Sequence, residues 1–136
     1  MVELKGFKVN KIELENRVKP GTQLKLQNQL NYNMNYLNDN KTCVGILNFR
    51  LTDESANPFE CKVEMVAEFN YTPDEERTDI HVTSFDQLFP FLRQLIHTVT
   101  SVSGMQGLMI PILHLNRNTV RVNENVPEGS DNSPLN

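Results

Sequence analysis

The chain has 136 residues and a mass of 15.6 kDa, the size of one domain, and an apolar fraction of 38% supplies one core with little surplus. A net charge of -4 and a pI near 5.3 give nucleic-acid phosphates no attractive field, which argues against a nucleic-acid partner. The longest apolar stretch, Leu108 to Leu115, is interrupted by a proline and a histidine and falls far short of the ~18 to 20 residues that span a bilayer. Met1-Val-Glu-Leu-Lys-Gly-Phe7 has no basic region followed by an apolar one. The expectation is a soluble cytoplasmic protein without a membrane partner.

In the first segment Phe7 and Val9 occupy odd positions and Ile12 and Leu14 even ones, a phase slip near Asn10-Lys11 that predicts a strand with a bulge. Pro20-Gly21 marks a turn. From Leu24 the alternation is long: Leu24, Leu26, Leu30, Tyr32, Met34 and Tyr36 on one face, amides on the other, broken at Asn28. After the turn cluster Asn38-Asp-Asn-Lys41, residues Cys43, Leu47, Phe49 and Leu51 share a face while Val44 and Ile46 put apolar surface on the other, as in a more central strand. Beyond a turn at Asp53 to Pro58, Phe59, Cys61, Val63, Met65, Ala67, Phe69 and Tyr71 are odd, with Glu60, Lys62, Glu64 and Glu68 even. Four strands with short connections predict an antiparallel sheet with one buried and one wet face.

Thr72-Pro-Asp-Glu-Glu-Arg77 reads as a charged loop and Asp79 to Val82 is too short to assign. Between Ser84 and Ser103 the period becomes 3.6, which predicts an amphipathic helix. Ser84 and Gln87 fit a capping box; Pro90 offers an alternative start near Leu88, and Gly104 supplies the stop. The apolar residues, Phe91 included, fill an arc of about 160°, wider than the ~100° one packing surface requires. The helix therefore touches its own sheet and something else. Gly107 to Leu115 is too broken for a helix and too apolar for a free loop, and needs cover. The organisation is one domain over 1–118 and a polar, acidic tail over 119–136, whose end from Asn123 has the composition of a disordered segment.

No nucleophile, phosphate-cradle or dinucleotide motif occurs. His81, His97 and His114 are too far apart for a helical metal pair, Asp74-Glu75-Glu76 lacks the spaced oxygens of a calcium loop, and Cys43 and Cys61 read as free buried thiols. Neither a metal nor a cofactor is expected. Tyr32, Met34 and Tyr36, at the end of a long strand rich in amides, offer adaptable apolar side chains for varied ligands.

Leu88-Phe-Pro-Phe-Leu-Arg93 is similar to the Leu-Phe-Pro-Tyr-x-Arg helix start of SecB, the bacterial protein-export chaperone family. Gly104-Met-Gln-Gly-Leu-Met-Ile-Pro-Ile-Leu-His-Leu115 resembles that family's proline-bearing segment. Phe59 to Phe69 and Phe7 to Ile12 also resemble its strands, so the resemblance runs from Phe7 to about Leu115. It implies an α+β fold, a four-stranded antiparallel sheet with a long C-terminal helix on one face. It further implies subunits joined as a dimer or dimer of dimers, and an ATP-independent holdase that keeps unfolded or precursor polypeptides in apolar grooves.

On that reading Tyr32, Met34, Tyr36, Leu108, Met109, Ile112 and Leu113 bind client, and Phe91, Leu92, Leu95, Val99 and Val102 join subunits. Glu60, Lys62 and Glu64 lie on a sheet surface where SecB members dock partners. Where members serving the motor SecA carry Leu-Cys-Glu, this chain has Glu60-Cys61-Lys62, and the crossover between the first two strands is reduced to Val18-Lys-Pro-Gly-Thr22. A SecB-like adaptor dedicated to one partner, such as a toxin-antitoxin pair, is the alternative to general export. The competing class is a small α+β enzyme such as a hotdog thioesterase, in which the long helix enters early in the sheet.

Overall fold

The alternating segments form four strands, β1 (Glu3–Asn16), β2 (Leu26–Tyr36), β3 (Thr42–Asp53) and β4 (Phe59–Asn70), in one antiparallel sheet of order β1-β4-β3-β2. The computed structural model describes residues 1–19, 21, 23–53 and 59–115. The central pair, β3 and β4, carries the most regular patterns. Cys43, Leu47, Phe49 and Leu51 are buried on one, and Phe59, Cys61, Val63, Met65, Ala67 and Phe69 on the other. Their even positions face outward, so one sheet face is the core and the other is wet.

The phase slip in β1 is a register shift between Val9 and Lys11, which keeps Ile12 opposite Val63 and Leu14 opposite Cys61. A second shift lies between Leu4 and Gly6. The three-residue step from Leu4 to Phe7 is its sequence signal: an extra residue is needed for both to face inward. The β2–β3 turn is set by Asp39, whose carboxylate accepts the Lys41 and Thr42 N–H groups at 3.0 and 2.9 Å and the Thr42 hydroxyl at 2.6 Å. Asn40 follows with φ of 60°, a conformation asparagine tolerates. These bonds, the Thr42 hydroxyl first, hold the Asp39 carboxyl below its usual range.

The helix α1 (Arg77–Val102) is longer than its periodicity predicts. Its first turns include Arg77 and Asp79 to Val82, and Pro90 is carried inside it on an exposed position. Ser84 and Gln87 do not cap it. Ser84 is buried against Tyr32, and Gln87 reaches the first strand: its Oε1 accepts the Leu4 N–H at 2.9 Å and its Nε2 donates to the Val2 carbonyl at 2.8 Å. The cap position is Glu76, without a side-chain bond to the helix. The start was obscured because the apolar stripe of the first turns is thin: Ile80 is its only fully buried aliphatic residue before Phe85.

Ile80, Phe85, Leu88, Phe89, Leu92 and Ile96 are buried against the sheet, each worth about 1.5–3 kcal/mol of apolar burial. Gly104 ends the helix as expected, with φ of 99°. No helix among the described residues is long and apolar enough to cross a membrane. The region 119–136, expected as a tail, lies outside the described residues.

Candidate functional site

Two flanks of α1 differ. On the flank toward β1, Gln87 bonds Val2 and Leu4, the Phe91 ring meets Phe7 at a tilt with centroids 4.8 Å apart, and the Asn16 amide donates to Ser103 Oγ at 3.1 Å. On the opposite flank, residues 104–115 turn back along the helix as an irregular strap. Thr100 Oγ1 accepts the Leu108 N–H at 2.9 Å, Arg93 Nε donates to the Ile110 carbonyl at 2.8 Å, and His114 Nδ1 lies 3.2 Å from Asp86 Oδ1. Thr100, Arg93 and Asp86 are seven residues apart in turn, one stripe of a helix at about 3.6 residues per turn. The strap is therefore antiparallel to α1.

Gly107 is required for the close approach, since a Cβ there would collide with Ser101 Oγ and lie 2.7 Å from His97 Nε2. The cover that the apolar segment needs is only partly provided. Ile110 is buried, Leu108, Leu113 and Leu115 pack against the core in part, and Met109 and Ile112 are 63% and 62% exposed. Of the side chains predicted to bind client, these two are the most open.

Tyr32 is placed otherwise. It is buried in the core, its ring edge-on to Phe85 and His81, its hydroxyl 2.6 Å from Ser84 Oγ. Burial pushes its pKa up. Gly45 makes room for the ring, because a Cβ there would lie 2.6 Å from the Tyr32 hydroxyl. Tyr32 is thus a core residue that a groove on this chain does not expose; neither Gly45 nor Ser84 signalled this in the sequence by periodicity. Met34 is half-buried, and Tyr36 is half-buried beneath Arg77, whose guanidinium sits 3.9 Å from the ring centroid.

The residues predicted to join subunits also divide. Leu92 is fully buried against its own sheet and unavailable to a second subunit in this arrangement. Leu95 and Val99 are half-buried, and Phe91 and Val102 are exposed. Phe7 and Ile12 of β1 are open as well, so the helix arc wider than its sheet corresponds to apolar surface along the β1 flank.

On the wet face of the sheet Arg50 Nε donates to Glu60 at 2.6 Å, Lys62 lies 3.7 Å from the same carboxylate, and Glu64 accepts from the Asn10 amide at 3.3 Å. The Arg50 bond holds the Glu60 carboxyl below its usual range. A concavity of about 260 Å³ includes Lys11, Gln29, Asn48, Arg50, Lys62 and Glu64; its charges are largely matched within the chain. Cys43 and Cys61 are free and buried, their thiols pushed up to about 12 and about 11 by burial, so both stay protonated and weakly reactive near neutral pH. No group of residues able to hold a metal ion occurs among the described residues.

No protein-family model and no curated protein matches the chain. Among solved structures it is similar to a SecB-like chaperone of Mycobacterium tuberculosis, determined in complex with a ChAD peptide from the HigA1 antitoxin. The TM-score is 0.67 at 16% identity, covering 82% of this chain and 87% of that one. It is also similar to a protein of unknown function from Streptococcus agalactiae, with a TM-score of 0.53 at 13% identity, covering 82% of this chain and 98% of that one. With its four-stranded antiparallel sheet and one long helix on the inner face, the chain has the SecB-like fold.

Proposed function

We propose that the chain is a SecB-like chaperone that holds non-native polypeptide on apolar surface, without nucleotide and without catalysis. The observation that carries this reading is the strap: a SecB-like fold in which Met109 and Ile112 stand out of an otherwise anchored segment. Exposed apolar side chains bounded by half-buried Leu108 and Leu113 make a surface for apolar segments of another chain, and methionine adapts to varied shapes. Phe91, Leu95, Val99 and Val102, beside Phe7 and Ile12, then serve contacts between copies in a dimer or dimer of dimers. Glu60, Lys62 and Glu64 form a partner-docking surface. The site of action is the cytoplasm, and protein export, with SecA as docking partner, is one use of such a holdase.

A dedicated adaptor is the second reading, favoured by one finding: the SecB-like neighbour was determined with an antitoxin peptide. The enzyme reading on a hotdog fold loses its topological basis, since α1 follows all four strands. Light scattering of a chemically denatured reporter protein, diluted with and without this chain and with no ATP, tests the proposal. Suppressed aggregation is expected; unchanged aggregation at excess chaperone contradicts holdase action. Capture from the native cytoplasm separates the readings, many unfolded precursors supporting the holdase and one stoichiometric protein the adaptor.

A further inference from the structure

The chain has five methionines, and the fold treats them differently. Met65 is fully buried on β4, and Met34 and Met105 are packed in part against the core. Met1 and Met109 stand open, and Met109, 63% exposed, is the one that lies within the apolar surface of the strap. Its place there is held by its neighbours. Thr100 Oγ1 accepts the Leu108 N–H on one side, and Arg93 Nε donates to the Ile110 carbonyl on the other. Neither bond involves the Met109 side chain. The two cysteines, which oxidants otherwise attack most readily, are buried with their thiols kept protonated.

We infer that Met109 is an oxidation site through which a peroxide controls the binding of apolar polypeptide to the strap. This rests on the binding reading above and adds its regulation. The thioether sulfur attacks one oxygen of hydrogen peroxide; an S–O bond forms and the O–O bond breaks. The leaving hydroxide takes the proton of the transferred oxygen and departs as water. Sulfur is oxidised by two electrons to the sulfoxide and the peroxide is reduced.

The product sets a hydrogen-bond-accepting oxygen where an apolar group stood. In the free chain that oxygen is solvated, because the side chain is open to water, and the anchors at Leu108 and Ile110 are untouched. Under a bound apolar segment it loses its water and meets no donor among apolar side chains, so the cost falls on the complex and not on the fold. Ile112, three residues on and also open, has no comparable reaction, so binding is weakened rather than abolished. Methionine thus brings two properties to one position, an adaptable apolar contact and a reversible loss of it.

The test uses the full chain, treated with hydrogen peroxide and then freed of it with catalase. Peptide mass spectrometry maps the oxygen, and anisotropy without nucleotide reads affinity for a fluorescein-labelled, permanently unfolded polypeptide. Met109 is expected to gain one oxygen while Met65 gains none, with the urea midpoint unchanged and affinity reduced about fivefold or more. Methionine sulfoxide reductase with dithiothreitol is expected to restore the affinity. Met109→Leu, whatever its starting affinity, is expected to lose none of it on the same treatment. Unchanged affinity of the native chain with Met109 oxidised overturns the inference and leaves the function reading standing. An unmodified Met109 in peroxide that oxidises free methionine does the same. An equal loss in Met109→Leu removes Met109 as the site. Failure of the untreated chain to bind overturns the function reading and this inference with it.

Discussion

The two flanks of α1 are secured by similar hydrogen bonds and differ in what they bury. Toward β1, the Gln87 amide bridges two backbone groups of the first strand while Leu88 and Leu92 fill the core behind it, and Phe7, Ile12 and Phe91 stay partly open at the margin. Along the strap, Thr100 and Arg93 hold the backbone at Leu108 and Ile110, yet only Ile110 is fully removed from water. Hydrogen bonds fix where a segment runs, while apolar burial supplies most of its stabilisation. The strap is thus fixed in place by bonds that leave Met109 and Ile112 unused by the fold, and surface unused by the fold is available for binding.

The sharpest way to break this division is to compare one substitution from each side. Leu92→Ala removes a fully buried side chain and is expected to cost about 2–5 kcal/mol in urea unfolding. Ile112→Ala alters a side chain that is 62% exposed and is expected to change stability by less than about 0.5 kcal/mol. Comparable losses would mean that the strap belongs to the cooperative core.

A smaller effect is expected from pH. Burial lowers the pKa of His81, which lies against Tyr32 at the start of the helix, below its ordinary value of 6.5. Below that pH the unfolded chain binds the proton more readily than the folded one. The stabilising contribution is therefore complete above about pH 6.5 and is lost as pH falls through the folded-state value. The urea midpoint is expected to decline as pH falls below about 6.5, and His81→Gln is expected to flatten the decline. An identical decline in the variant would remove His81 as its source.

The strands were legible because their period is strict. The alternation of Phe59 to Phe69 defines the buried face residue by residue, and the bulge at Asn10 follows from one slipped phase. The helix start was not, because polar residues that bond the sheet resemble polar residues that cap a helix: Ser84 and Gln87 have the spacing of a capping box and serve instead to tie α1 to Tyr32 and β1. Tyr32 was misplaced for a related reason. Alternation assigns its face but not what lies over it, and its burial depends on Gly45 and Ser84, distant in sequence. At the candidate site, the apolar character and irregularity of 107–115 were readable, whereas the split into buried Ile110 and open Met109 and Ile112 depends on where Arg93 and Thr100 anchor the backbone.

The central claim concerns those two open side chains, and the direct measurement is the affinity of a labelled, permanently unfolded polypeptide for the native chain and for Met109→Ser/Ile112→Ser, read by anisotropy without nucleotide. The account predicts that the double variant retains its urea midpoint and oligomeric mass while binding roughly tenfold or more weakly, as expected for the loss of two apolar contacts. Undiminished binding by a folded double variant would contradict it.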